Sequence, residues 1–211
     1  MTDASTQTTD SDFAAPADRA RIERVAAALE ANGIHALIAA DFDEARRLVL
    51  KQIPEGAEVH EGASVTMETL GVRAEIEESG KYDAVRPRLW TMDRETEMRE
   101  MRKLGAGPDY IVGSAHAVTE DGHLLIASKT GSQLAGYVFG AGNVVFAVGS
   151  QKIVRDVAEG LRRIEQYVYP LEDKRMRDEY GIGSTINKVL IINGEDGPRV
   201  SVVLIDAAAG F

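Results

Sequence analysis

The chain has 211 residues, no cysteine and a formal net charge of −10. Without cysteine, it cannot by itself hold a disulfide, a thiolate zinc site or an iron–sulfur cluster. The acidic balance argues against a nucleic-acid surface, because phosphate binding requires a basic stripe and the sequence has none. Residues 1–20 lack the basic and apolar regions of a secretory signal, and no apolar run is long enough to span a bilayer. We therefore expect a cytoplasmic protein.

The first half of the chain alternates helix and strand patterns after a polar start. Residues 1–17 are rich in Thr, Ser, Asp and Ala, which predicts a disordered tail, and residues 18–211 are predicted to form a single α/β domain. A helix begins at Asp18 and ends at Asn32-Gly33, and a strand covers residues 34–39. A second helix follows Asp41, and a strand covers residues 57–61.

The second half is predicted to contain further helices at Ser64 to Glu78 and Gln151 to Val168, the latter broken by Pro170. Lys188 to Asn193 and Val200 to Ile205 flank a Gly-Glu-Asp-Gly turn, which predicts an antiparallel hairpin. Strands that alternate with helices imply a mainly parallel sheet covered on both faces.

Two strand-to-helix junctions are candidate anion sites. Ser64 and Thr66 open one helix, and Gly131, Ser132 and Gln133 open another. Free N–H groups at such junctions bind anions, and glycine lets the backbone approach a ligand. Each junction could equally be an ordinary helix cap. Neither matches a P-loop or a dinucleotide fingerprint.

The turn at Thr119-Glu120-Asp121-Gly122 contains the candidate catalytic carboxylate. The Asp-Gly pair is typical of a hairpin turn. Glu120 precedes a buried strand pair, so it could be desolvated and act as base or nucleophile. His116, Glu120 and His123 need not converge on a strand–turn–strand, and we predict no metal site. Glu61, beside His60 at a strand end, is a further candidate for the pocket.

Several segments together resemble the LUD-domain family, the lactate-utilisation proteins of the LutC-like group. They are Gly113 to Gly122, Gly131 to Leu134, Phe139 to Gly142, Val148 to Val154, Tyr180 to Ser184 and Gly210-Phe211. The likeness extends from about Ile22 to the end of the chain. It implies the fold of the NagB/RpiA/CoA-transferase-like superfamily, a three-layer α/β/α Rossmann-like fold, here with a C-terminal antiparallel hairpin. Thr119 to Gly122 is similar to the Ser-Glu-Asn-Gly signature of CoA transferases, whose Glu is the nucleophile, with Thr replacing Ser and Asp replacing Asn.

Three functions are consistent with this resemblance. The first is a non-redox component of bacterial lactate or organic-acid utilisation that binds a small anionic metabolite beside iron–sulfur partner proteins. The second is an enzyme acting on an acyl-CoA, a phosphosugar or a folate-like substrate, with Glu120 as nucleophile or base. The third is a module that binds a metabolite without chemistry. We expect no cofactor in the chain itself, a CoA or phosphate-bearing ligand as an alternative, and a homo-oligomer paired through the terminal hairpin. The expected ligand-binding residues are Glu61, Ser64, Thr66, Gly113, Ser114, Thr119, Gly131, Ser132 and Gln133.

Overall fold

A computed structural model describes residues 12–211 of the chain. The helices of that range are α1 (Arg19–Ala31), α2 (Phe42–Lys51), α3 (Val65–Thr69), α4 (Val72–Glu78), α5 (Val85–Thr91), α6 (Met98–Ala106), α7 (Val157–Arg163) and α8 (Tyr169–Tyr180). Its strands are β1 (His35–Ala39), β2 (Glu58–Glu61), β3 (Asp83–Ala84), β4 (Tyr110–Gly113), β5 (Ala117–Thr119), β6 (Leu124–Ser128), β7 (Asn143–Gly149), β8 (Ile153–Val154), β9 (Lys188–Ile192) and β10 (Val200–Ile205).

The main sheet has six strands, all parallel, in the order β1-β10-β7-β4-β2-β3. Helices α2, α3 and α4 pack on one face around Val59, Val112, Val145 and Val203. On the other face, α1 and the second sheet enclose a core that contains Phe146. The predicted α/β fold with a mainly parallel sheet and Rossmann-like layers is confirmed.

The second sheet has four strands in the order β8-β5-β6-β9, with β6 antiparallel to β5 and β9. The predicted C-terminal hairpin is wrong, since β9 and β10 lie in different sheets. Every residue of β10 is buried, which suits a strand between β1 and β7 in a sheet covered on both faces. Four of the five residues of β9 retain solvent exposure, which suits the edge position it occupies. An edge for pairing with a second copy would thus be β9 alone, not a hairpin.

Two predicted helices are divided differently in the structure. The helix expected from Ser64 to Glu78 is interrupted at Gly71, whose φ of 66° reverses the chain between α3 and α4. The helix expected to start at Gln151 begins only at Val157, because residues 150–152 form a 3-10 turn that leads into β8. The predicted break at Pro170 is wrong, because a π-helical turn at Ile164–Val168 joins α7 to α8 without a gap and Pro170 is the second residue of α8.

The N-terminal segment is folded from Phe13 onward. Phe13 is 3% exposed, its ring centroid lies 6.3 Å from that of Tyr167, and its carbonyl accepts from Arg163 Nη2 at 3.2 Å. The predicted disordered tail therefore extends too far, because one buried aromatic side chain anchors a segment that is otherwise polar. Residues 1–11 lie outside the described range.

Candidate functional site

The candidate site lies where the chain direction reverses in the main sheet. From β2 the chain continues outward to β3, then returns past β2 to form β4 on its other side. The carboxyl ends of β2 and β4 therefore border a crevice, the position at which open α/β sheets bind their ligands. The residues at these two ends are Glu61 and Gly113, both of which the sequence singled out.

A buried lysine lies at this edge of the sheet. Lys152 is 2% exposed, and its Nζ donates to Thr66 Oγ1 at 2.9 Å and to Ser114 Oγ at 3.1 Å. Within residues 12–211 it has no carboxylate partner. Burial, together with the nearby Arg163 cation, holds the pKa of Lys152 well below its usual range. Buried lysines without a counter-ion are rare in proteins, and perturbed groups of this kind concentrate at functional sites.

The last six residues cover the lysine, and we call residues 206–211 the closing segment. Gln151 Nε2 donates to the carbonyls of Ala209 and Gly210 at 3.1 and 3.0 Å, and Gln151 Oε1 accepts from Ala209 N at 3.2 Å. Gly210 has a φ of +63°, and a Cβ there would lie 2.5 Å from Thr66 Oγ1 and 3.4 Å from Lys152 Nζ. The glycine thus lets the backbone lie directly over the amine.

Glu61 forms a buried ion cluster with two arginines. Its carboxylate is 1% exposed and lies 3.0 Å from both Arg73 Nε and Arg86 Nη1. Burial raises the pKa of Glu61 to about 7, while the two guanidinium groups act in the opposite direction. A carboxyl group with that pKa can give or accept a proton near neutral pH.

Tyr137 contacts the ends of both β2 and β4. Tyr137 is buried, with its ring centroid 4.7 Å from that of Phe146, and its hydroxyl lies against both Gly62 and Gly113. Burial and the carboxylate of Glu61 raise the pKa of Tyr137. Gln133 contacts the same place, because a Cβ on Gly62 would lie 3.4 Å from Gln133 Cβ. The loop that contains Gln133 therefore lies beside the end of β2.

Replacing Gly113 by Ala tests this packing. A Cβ at Gly113 would overlap the Tyr137 hydroxyl and approach its Cζ to 3.0 Å, so we expect a loss of about 1–3 kcal/mol in the free energy of unfolding. Urea denaturation of Gly113→Ala gives the loss directly. The same substitution in a Tyr137→Phe background should cost less, since the overlapping oxygen is gone. Equal losses in both backgrounds would show that the two residues do not interact.

The other junction residues have local roles. Ser64 caps α3 by accepting from Met67 N at 3.3 Å, as the alternative interpretation held. Gly131 takes a φ of +81° in a tight turn and donates from its backbone to Ser128 Oγ at 2.8 Å. Ser132 is exposed, and its hydroxyl interacts with Thr130 and Gln133. These contacts shape the loop that presents Gln133.

Glu120 does not have the environment expected of it. Its side chain is 43% exposed and pairs with Arg21 Nε at 2.8 Å, so the expected desolvation is absent. Thr119 is buried but is engaged within its turn, where it accepts from His123 N at 2.8 Å and donates to Asp121. The turn places the carboxylate at the end of a short hairpin facing solvent, because Gly122 with φ +82° closes it tightly. Neither residue joins the contacts around Lys152.

His116 and Arg163 stand beside the lysine. His116 keeps partial exposure, and its Nδ1 accepts from Ala127 N at 3.0 Å. Burial and the basic groups of Lys152 and Arg163 lower the pKa of His116 to about 3, so its imidazole is neutral at pH 7. Arg163 is fully buried and donates to His116 O at 2.6 Å, and burial lowers its pKa to about 10. Arg163 also has no carboxylate partner within the described range, and its Nε has no hydrogen-bond partner.

Sequence analysis missed Lys152 and Arg163. Both belong to the segment predicted as one amphipathic helix, in which charged residues are assigned to the solvent face. The signal present in the sequence was Lys152 directly before the apolar pair Ile153-Val154, after the buried strand β7. A lysine between two buried strands reaches solvent less easily than a lysine on the exposed face of a helix.

Two surface cavities of the described residues lie away from Lys152. One of about 830 Å³ is at the amino edge of the sheet, and its lining includes Asn32, Glu195 and Arg199. Of its three charged groups, Arg199 and Glu195 pair with each other, with Arg199 Nη2 2.6 Å from Glu195 Oε2, and Asp196 leaves the lining with a net negative charge. A smaller one of about 470 Å³, lined by residues 40–43 and Ala207, borders the closing segment. Buried basic groups without charge partners indicate a functional site more strongly than the volume of a cavity does, so we assign the candidate site to Lys152 and its neighbours.

Within residues 12–211 no helix has the length and apolar character needed to cross a bilayer. The same range contains no group of three or more His, Asp or Glu side chains arranged to hold a metal ion.

The parallel sheet, the helices that cover it and the polar groups at the carboxyl ends of its strands define a Rossmann-like α/β protein. The family model of the LUD domain matches residues 22–201, so the chain belongs to the LUD-domain family. It is also similar to the structure of a DUF162 family protein from Deinococcus radiodurans, with 13% identity, a TM-score of 0.55, and coverage of 90% of this chain and 99% of that one. That likeness supports the fold.

A weaker similarity is to eIF2B delta from Chaetomium thermophilum, with 16% identity, a TM-score of 0.34, and coverage of 56% of this chain and 52% of that one. No curated protein matches the chain.

Proposed function

We propose that this protein is a non-redox component of lactate-type organic-acid utilisation that binds a small anionic metabolite at Lys152. The observation that carries the proposal is a pair of buried basic side chains, Lys152 and Arg163, with no carboxylate partner within residues 12–211. Two unpaired basic groups favour a bound anion, because opposite charges attract each other strongly in a buried region of low dielectric constant. The hydroxyl oxygens of Thr66 and Ser114 both accept from Lys152 Nζ and so fix its position in the site.

The size of the ligand follows from the enclosure of the cluster. Lys152, Thr66 and Arg163 are all at most 2% exposed, so we expect the site to admit only a small acid, and only after the closing segment moves. Lactate and pyruvate meet that limit, and the LUD-domain membership of the chain makes them the acids to test first. A CoA or sugar-phosphate ligand would need the open crevice as well.

Partner proteins complete the proposal. The chain contains no cysteine, so electron transfer from lactate would take place on an iron–sulfur partner. The acid bound here would be delivered to that partner or received from it. We do not propose Glu120 as a nucleophile, since its carboxylate is exposed and paired with Arg21.

Isothermal titration calorimetry with lactate and pyruvate tests the binding site. We expect the wild type and Lys103→Met to bind at least one of the two acids with equal Kd, because Lys103 is an exposed residue paired with Glu100. Lys152→Met should weaken binding by roughly tenfold or more, because the acid loses its contact with the Lys152 amine. No binding by the wild type, or equal binding by both variants, would contradict the proposal.

A further inference from the structure

The hydrogen bonds around Lys152 define the state of its nitrogen. Thr66 Oγ1 donates to Ala209 O at 3.1 Å, and Ser114 Oγ donates to Ala115 O at 3.2 Å. A hydroxyl has a single hydrogen, so both oxygens must accept from Lys152 Nζ. Two N–H groups of the amine are thereby satisfied, and the third position on nitrogen has no acceptor within residues 12–211.

A neutral amine fits this arrangement and an ammonium does not. An ammonium would carry a third N–H at the open position, buried and without a partner, which costs free energy. A neutral amine has its lone pair there instead. The guanidinium of Arg163 acts in the same direction by repelling a second positive charge. A desolvated lysine beside another cation is a recognised form of activated nucleophile.

We propose that Lys152 reacts through this lone pair with the ketone carbon of a 2-oxo acid and forms an imine. The inference rests on the proposed function, because the carboxylate of the same small acid would lie among the basic and hydroxyl groups of the site. Arg163 supplies the positive charge next to the amine, and Thr66 and Ser114 fix the direction of Nζ. A 2-oxo acid has its electrophilic carbon directly bonded to the carboxylate, which is the separation that such a compact site allows.

The reaction is balanced without an oxidant or a reductant. Lys152 Nζ adds to the ketone carbon, and the resulting carbinolamine holds the former carbonyl oxygen as a hydroxyl group. The carbon–oxygen bond then breaks, the carbon–nitrogen bond becomes double, and the oxygen leaves as water with the two hydrogens of the amine. Hydrolysis of the imine by the reverse steps releases the acid.

Access to the amine requires movement of the closing segment. The backbone of Gly210 lies over Nζ, held by the hydrogen bonds of Ala209 and Gly210 to Gln151 and Thr66. Movement must break these bonds and release Ala209 from the core, whereas the hydrogen bonds of Asp206 N to Ala39 O and of Ser150 N to Ala207 O hold the start of the segment. The family match ends at residue 201, before this segment begins.

Reductive trapping tests the imine. The full chain is incubated at pH 7.5 with pyruvate and sodium cyanoborohydride, and the product is examined by intact mass and peptide mapping. We expect one reduced pyruvate adduct per chain, on Lys152, in both the wild type and Lys103→Met. Its rate should exceed that of exposed lysines by at least about tenfold, because their amines are almost fully protonated at this pH. Lactate, which has no ketone, should give no adduct.

Two variants control for charge and folding. Lys152→Arg keeps a basic side chain that cannot form the imine and Lys152→Met keeps the side-chain volume, and neither should be labelled at position 152. Labelling spread evenly over the lysines would overturn the inference. An unlabelled Lys152 in a wild type that binds pyruvate by calorimetry would overturn the imine and leave the proposed function intact. Absence of both binding and labelling would overturn both.

Discussion

Replacing Lys152 by Met is expected to stabilise the protein. Burying an uncompensated basic group costs several kcal/mol, and well-packed apolar replacements of buried charges are often stabilising by about 1–4 kcal/mol. Thr66 and Ser114 keep their carbonyl partners, Ala209 and Ala115, after the substitution. For a chain of this size, each kcal/mol corresponds to roughly 2–4 °C in Tm. The gain would show that Lys152 is retained at the expense of stability, as functional residues often are.

The pH dependence of this gain distinguishes a depressed pKa from simple repacking. A lysine whose pKa is lowered in the folded state binds less proton there than in the unfolded chain, so wild-type stability rises with pH toward about 10.5. The advantage of Lys152→Met should therefore shrink by up to about 1.4 kcal/mol per pH unit. Urea unfolding between pH 7.5 and 9.5 measures this decrease. The range lies above the pKa of about 7 for Glu61, whose titration changes the stability in the opposite direction.

Lys103→Met is the matched control, because its side chain is 58% exposed and pairs only at the surface. It should change the free energy of unfolding by no more than about 0.5 kcal/mol, with no slope against pH. If Lys152→Met instead lost stability at pH 7.5, the lysine would be a structural element and not a group held for chemistry.

Replacing Glu61 by Gln is expected to produce the largest loss of stability. Glu61 is the shared partner of Arg73 and Arg86, whose side chains are only 22% and 13% exposed. Removing one partner of a buried ion cluster leaves Arg73 and Arg86 without compensation and costs about 3–5 kcal/mol, although the desolvation of the Glu61 carboxylate that raises its pKa is relieved at the same time. Partial access of Arg73 to solvent places the expected loss toward the lower end, about 3 kcal/mol.

The chain supplies a close control for this substitution. Glu68 also pairs with Arg73, at 3.3 Å, but its side chain is 61% exposed. Glu68→Gln should therefore cost at most about 1 kcal/mol in the same urea measurement. Similar losses for the two variants would mean that burial does not set the strength of the Glu61 cluster. A fold intact in Glu61→Gln would also allow the binding of pyruvate to be measured without its carboxylate.

The parallel order of the sheet could be predicted, but the placement of its last strand could not. Alternating strand and helix patterns predict a parallel sheet without knowledge of the tertiary contacts, because a helix between two strands forms the crossover connection that parallel strands need. β9 and β10 are separated by a turn of the kind found in hairpins, and local signals favour pairing them. Their different burial assigns them to different sheets, and burial depends on the whole chain.

The same division holds for the site. Composition excluded a cluster held by cysteine, and the sequence singled out Glu61 and Gly113, which end β2 and β4 at one edge of the parallel sheet. The tertiary structure alone decided that Lys152 is buried, that Glu120 is exposed and that residues 206–211 cover the lysine. Charge and spacing are properties of the sequence, whereas desolvation is set by which distant segments pack against a side chain. It is desolvation that distinguishes Lys152 from the other lysines of this chain.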